Sequence, residues 1–253
     1  MFDNLLNHLH FDPNRYRAAY AILPGDPART EAIADCFGAH TCIATNREYT
    51  TRLAQCKGEN VFICSTGIGG PSAAIAVEEL YMAGVRTFIR TGTCGAMQLE
   101  IRGGDLIVAA SAVRQEGTSL HYAPIEFPAT ADFQVTAALK SAAEQLGRRV
   151  HVGVVQSKDS FYGQIEPARM PVASQLEEKW SAWKRLGVLA SEMECAAIFT
   201  ACASLGASAG CVLHVIHNQE RKAAGLDNPI DEDTTAAVQA AANAVALLIE
   251  QGR

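Results

Sequence analysis

An α/β fold with a mixed sheet is what this chain predicts, on three observations. Short β-rich runs alternate with helix-periodic segments, and glycines stand where several of the runs end. The composition, 49% hydrophobic and 19% charged over 253 residues, is far from that of a disordered chain. A chain of this length can bury a layered core without metal or disulfide staples. No repeat, low-complexity tract or long linker interrupts the pattern, so residues 1–253 are expected to form a single domain.

In chain order, the apolar run Tyr20–Leu23 predicts the first strand, and the turn after it leads into a helix that starts at Arg29. Val61–Ser65 predicts a second strand. Pro71–Ala83 follows as a helix, because Pro suits a first helical turn and Gly84 stops it. Thr87–Thr91 and Asp105–Ala109 read as strands. Gln134–Leu146 is a helix, with Val135, Ala138, Leu139, Ala142 and Leu146 on one stripe and Gly147 behind it. His151–Gln156 and Cys211–His217 are further strands, and Ser191–Leu205 and Thr234–Gln251 further helices. The runs 105–113 and 151–156 depart from strict alternation, which predicts a mixed rather than a fully parallel sheet.

The charge balance, 21 Lys+Arg against 27 Asp+Glu and net −6, argues against a nucleic-acid partner, which needs a broad basic face. It does not argue against a small anion. Eight cysteines without a C-x-x-C pair give little support to a zinc or redox centre. Residues 195–219 lack Asp, Glu, Lys and Arg, but Ser204, Gly206, Ser208, Gly210 and His214 make them a buried helix followed by a strand rather than a membrane span. Met1–His10 lacks the charged-then-apolar design of a secretory leader, so no membrane partner and a cytoplasmic location are expected.

Four segments carry candidate chemistry at strand ends, where α/β proteins place ligands. Leu23-Pro24-Gly25-Asp26-Pro27-Ala28-Arg29 offers backbone amides and a guanidinium to an anion, although an ordinary strand-to-helix turn would look the same. Phe88-Ile89-Arg90-Thr91-Gly92-Thr93-Cys94-Gly95 sets Arg90 inside an apolar strand, where its charge needs either a structural partner or an anionic ligand. Cys64-Ser65-Thr66-Gly67-Ile68-Gly69-Gly70-Pro71-Ser72 is glycine-rich, yet it has neither dinucleotide nor P-loop spacing. Ser191-Glu192-Met193-Glu194 opens a helix. Its Ser191 and Glu194 fit a structural capping box, and its carboxylates suit sugar hydroxyls equally well.

Together, PGDPAR (24–29), TNREYTT (45–51), CSTGIGGPS (64–72), VRTFIRTGTCGA (85–96), SLHYAPIEFPA (119–129), KDSFYGQ (158–164) and SEMECAA (191–197) resemble the nucleoside phosphorylase superfamily, in particular its uridine-cleaving members. The likeness runs from near residue 8 to beyond 230. It implies a three-layer α/β/α sandwich around a mixed, partly barrel-like sheet. It also implies a homohexamer built as a trimer of dimers, and inorganic phosphate as co-substrate with no cofactor required. The implied phosphate site is Gly25, Arg29, Arg90 and Thr93, with Arg47 from a neighbouring subunit; Arg90, Glu194 and Arg47 would be the catalytic groups. Glu192, Met193 and Glu194 would hold the ribose, with His8 reaching in from the neighbour. Phe161 would stack on the base and Gln164 would hold its amide edge. Glu48, Ile68 and Ser72 would match a potassium site at the dimer interface.

Two departures concern the base. Where relatives carry Gln-x-Arg, this chain has Gln164-Ile165-Glu166, with the next arginine at Arg169. Asn218-Gln219-Glu220-Arg221 differs from an Asn-Arg pattern, which makes Arg221 the candidate for the missing charge. The implied reaction is the reversible phosphorolysis of uridine, with deoxyuridine and thymidine as further candidates. The alternatives are a purine nucleoside phosphorylase, a nucleosidase of the same fold, or a non-catalytic nucleoside-binding protein. The purine reading is weakened because His217-Asn218 stands where purine enzymes carry an Asp to protonate the ring.

Overall fold

A computed structural model describes residues 5–252. The elements in order are β1 (Tyr20–Pro24), α1 (Arg29–Asp35), β2 (His40–Asn46), β3 (Tyr49–Cys56), β4 (Glu59–Cys64), α2 (Gly70–Met82), β5 (Thr87–Ala96) and β6 (Leu106–Gln115). They continue with β7 (Ala129–Thr130), α3 (Phe133–Gln145), β8 (Val150–Lys158), α4 (Phe161–Ile165), α5 (Ala173–Arg185) and β9 (Ala190–Glu192). The last are α6 (Cys195–Leu205), β10 (Ser208–Asn218), α7 (Gln219–Ala223) and α8 (Thr235–Glu250).

All ten strands among the described residues belong to one mixed sheet. Five of them, β10, β6, β8, β9 and β5, close on themselves because β10 also pairs with β5. From β5 the sheet continues through β1, β4, β3 and β2 as an open wing. β1 runs parallel to both β4 and β5, and β10 parallel to β5, as crossover helices require. The β2–β3–β4 wing is antiparallel.

Helices cover both faces. One buried cluster joins Ala73, Val77 and Leu80 of α2 to Ile198 and Phe199 of α6 over the sheet. The other joins Ile33 of α1, Val135 and Leu139 of α3 and Val245 of α8 to the opposite face. Each fully buried Leu, Ile or Phe in these layers contributes roughly 1.5–3 kcal/mol, which holds the strand ends in fixed register. Gly210 allows α3 to lie close on β10, since a Cβ there would overlap Val135.

The structure adds elements that local pattern did not announce. β2 is half-exposed along its length, so it lacks the apolar alternation that marks a strand. α5 buries none of its residues fully, its inner face being only half-buried at Leu176, Trp180 and Trp183. The helix expected at Ser191–Leu205 begins only at Cys195, because Ala190–Glu192 pairs as β9 between β5 and β8. Residues 195–219 form α6 and β10 in the core, and no helix among the described residues is long and apolar enough to cross a membrane.

Candidate active site

The carboxyl ends of β1, β5, β8 and β10, together with β9, surround a cleft of about 850 Å³. Gly25 and Arg29 enter it from the turn after β1, and Arg90 and Thr93 from β5. Glu192, Met193 and Glu194 enter from the β9–α6 junction, and Phe161 and Gln164 from α4. Residues from four separate stretches of chain thus meet as the sequence motifs suggest.

Arg90 is only 4% exposed and sits between two carboxylates. Its Nε donates to Glu192 Oε2 at 3.2 Å and an Nη donates to Glu194, while the other, Nη1, is buried without a partner. Burial opposes its charge, but Glu194 and Glu192 outweigh that and keep the guanidinium protonated. Gly92 leaves room for it, since a Cβ there would lie 2.9 Å from the guanidinium. Arg29 lines the same cleft and makes no ion pair among the described residues. Burial lowers its pKa; Asp26 opposes this and the like charge of Arg90 adds to it. Two guanidinium groups line one space, an arrangement chemically suited to an anion.

The capping-box expectation is corrected. Ser191 is a β9 residue, and Glu194 is the N-cap of α6 without a side-chain cap bond. It is Glu192 whose carboxylate accepts the amides of Glu194 at 2.8 Å and Cys195 at 3.0 Å, as well as the Ser157 hydroxyl. This ties Glu192 down and leaves Glu194 as the carboxylate at the cleft edge. There Gly69 N donates to Glu194 Oε1 at 2.6 Å. Burial raises the Glu194 pKa, and Arg90 partly opposes this.

At the other end, Phe161 is 50% exposed on α4, whose N-cap Ser160 accepts the Gly163 amide at 3.0 Å. Gln164 accepts the Ser191 hydroxyl and donates to Gln219 Oε1 at 3.3 Å. Sequence reasoning gave no role to Lys158, which ends β8 and lines the cleft. Its Nζ donates to Ser191 Oγ at 2.7 Å and lies 5.9 Å from the Phe161 ring centroid. Burial lowers its pKa to about 8 against the pull of Glu192 and Glu194. The available signal was a lysine two residues beyond a predicted strand, at the first position of the KDSFYGQ motif.

Arg221, expected at the base, is not in the cleft. Its guanidinium donates to the carbonyls of Leu99 and Asp227, the latter at 2.6 Å, because the loop after α7 folds back over it. Arg169 is no substitute, since it pairs with Glu166 at the surface. Asn218 is fully buried, donating to the carbonyls of Gln98 and Ile101 at 2.7 and 2.9 Å. His217 lines the cleft instead, and burial, then Lys222, lowers its pKa.

His8 and Arg47 lie outside the cleft of their own chain, yet near one another. Asn46 Nδ2, beside Arg47 in the β2–β3 turn, donates to the His8 carbonyl at 2.8 Å. His8 Nδ1 lies 2.6 Å from Glu79 Oε1, and Arg47 is exposed with a positive φ of 53°. Glu48 and Ser72 converge on Gly67, within 4 Å of where its Cβ would stand, and Ser72 Oγ donates weakly to the Ile68 carbonyl at 3.4 Å.

Residues 19–250 match the phosphorylase superfamily. The chain is 52% identical over 232 residues to a uridine phosphorylase of Treponema pallidum (strain Nichols), covering 92% of this chain and 90% of that one. It is 46% identical over 219 residues to a uridine phosphorylase of Escherichia coli (strain K12), covering 85% and 87%. It is also 41% identical over 215 residues to a guanosine phosphorylase of Halorubrum lacusprofundi, covering 84% and 85%.

Proposed function

Because the chain belongs to the phosphorylase superfamily, we propose that it catalyses the reversible phosphorolysis of uridine to uracil and ribose 1-phosphate. The observation that carries this reading is Arg90, held between Glu192 and Glu194, lining one cleft with Arg29, which makes no ion pair among the described residues. A nucleosidase would deliver water and has no use for that anion site.

In the reaction, a phosphate oxygen forms a bond to C1′ as the C1′–N1 bond breaks and its electron pair passes to uracil. Positive charge builds on the ribose on the way. Arg29 and Arg90, with the Gly25 and Thr93 segments, hold phosphate under C1′ as nucleophile and counter-charge. Glu194 takes the ribose hydroxyls, with Met193 beneath the sugar and Glu192 fixing Arg90. Phe161 stacks on uracil and Gln164 holds its amide edge. The Lys158 ammonium, in place of the expected Arg221, faces the negative charge that develops on the departing base. Deoxyuridine and thymidine are further candidate substrates.

His8 and Arg47 share one surface away from their own cleft, which supports a role in a neighbour's site within a homohexamer, a trimer of dimers. Glu48 and Ser72 both flank Gly67, Ser72 Oγ lies 3.4 Å from the Ile68 carbonyl, and a carboxylate, a carbonyl and a hydroxyl are the oxygen donor types that suit potassium. When bound, that ion would neutralise Glu48 and brace the interface, outside the reaction itself, which needs phosphate as co-substrate and no cofactor.

The test is release of free base from uridine, thymidine, inosine and methylthioadenosine, with and without phosphate. Uridine is expected to be cleaved fastest and only with phosphate. Phosphate-independent cleavage would make the protein a nucleosidase, and a preference for inosine would reverse the base assignment.

A further inference from the structure

Four side chains that line the cleft are joined by hydrogen bonds running in one direction. Lys158 Nζ donates to Ser191 Oγ at 2.7 Å, the Ser191 hydroxyl donates to Gln164 Oε1, and Gln164 Nε2 donates to Gln219 Oε1 at 3.3 Å. The direction is set at Lys158. An ammonium has protons to give and no lone pair, and below a pKa of about 8 Lys158 is an ammonium. Ser191 Oγ therefore accepts from it, and the serine proton is left for Gln164. Lys158 and Ser191 are both buried, so water is a poor substitute for either.

Turning the Gln164 amide over would put Nε2 against Ser191 and strand the serine proton in a buried place, and a buried donor without a partner is costly. Gln219, whose side chain makes no other hydrogen bond among the described residues, is free to turn with it. Ser191 is not, because Lys158 holds it. In the orientation so fixed, Gln164 keeps one lone pair on Oε1 and one N–H on Nε2 for a base. Uracil has N3–H between two carbonyls, so Oε1 takes the N3 proton and Nε2 gives to a carbonyl. Cytosine has a lone pair at N3, which the fixed Oε1 opposes with another lone pair. Only a turned amide would present an N–H there.

We propose that Ser191 is a positioning residue that sets base specificity: by holding Gln164 one way round, its hydroxyl admits a pyrimidine with a proton on N3 and rejects one with a lone pair there. The inference rests on the uridine reading above, with the amide edge of uracil at Gln164. The backbone of Ser191 has a separate task, pairing with Gly95 and Gln156 in β9, which an alanine or threonine can also perform.

The experiment measures phosphate-dependent release of base from uridine and from cytidine by the wild type, Ser191→Ala and Ser191→Thr, with the KM for phosphate in each. Ser191→Ala is expected to lower kcat/KM for uridine and to cleave cytidine, so that the uridine-to-cytidine ratio falls by at least about tenfold, the scale of one hydrogen bond. The KM for phosphate should be unchanged. Ser191→Thr keeps the hydroxyl and should keep the wild-type ratio. Cytidine left uncleaved by Ser191→Ala, or a ratio that does not move, would overturn the proposal. So would a rise in the KM for phosphate matching the loss on uridine, which would mean general damage to the cleft, or a threonine variant that loses the ratio as alanine does. Failure of the wild type to cleave uridine at all would instead remove the reading on which it rests.

Discussion

At the end of the cleft where we place phosphate, the working groups stand on the central strand β5 and at the starts of α1 and α6, whereas at the end where we place the base they stand on a five-residue helix near the surface. Arg90 and Glu194 are both about 4% exposed and locked by ion pairs and backbone amides; Phe161 is half exposed, and Gln164 is held by a hydroxyl and one weak amide contact. Burial is what gives the first set its strength, because charges removed from water act at low effective dielectric and do not reorganise during the reaction. The second set works by shape and stacking, which an exposed helix can supply. The chemistry is therefore built into the sheet, and the choice of base is carried by a part that can be altered without disturbing it. Lys158 spans the two: it is buried on a strand like Arg90, yet its ammonium lies 5.9 Å from the Phe161 ring.

Arg90→Ala attacks the buried end and should have the largest effect. Losing a donor aimed at phosphate while leaving Glu192 and Glu194 unneutralised should cut uracil release by roughly a thousandfold or more. Near-normal turnover would dissolve the contrast between the ends. Lys158→Met should cost roughly a hundredfold in kcat/KM, in keeping with one preorganised charge at a developing anion. The pH profile sharpens this. The ammonium is present below its pKa of about 8 and is lost above it, so wild-type kcat/KM should fall as pH rises through that region, and the variant should lack this limb. An unchanged alkaline limb in the variant would mean another group titrates there. Phe161→Ala should have the smallest effect, a rise in uridine KM of roughly tenfold with kcat little altered, as expected for loss of one base–aromatic stack. A kcat loss as large as that of Lys158→Met would show that the exposed helix also positions the chemistry.

Much of this was legible before folding. Apolar runs at 20–23, 87–91 and 211–217 announced the strands that the structure extends to 20–24, 87–96 and 208–218, and Pro71 and Gly84 bracketed α2 because backbone constraints act locally. Arg90 was conspicuous as a charge in an apolar strand. The capping box at Ser191 was misread because the same four residues can cap a helix or pair as a strand, and only the neighbouring β5 and β8 decide between them. Arg221 was misplaced for a similar reason. A charge looks available in sequence until the loop that folds back offers it carbonyls.

Local pattern and composition were thus enough to set the α/β architecture, the glycine turns at the strand ends and the residue types suited to an anion. Folding alone brought Glu194 to Arg90 across 104 residues of chain, put Lys158 beside Ser191, and set Ser191 against Gln164. The physical reason is range. Backbone propensity and hydrophobic period act over a few neighbours, whereas a buried charge finds its partner only where the closed sheet brings distant strands side by side.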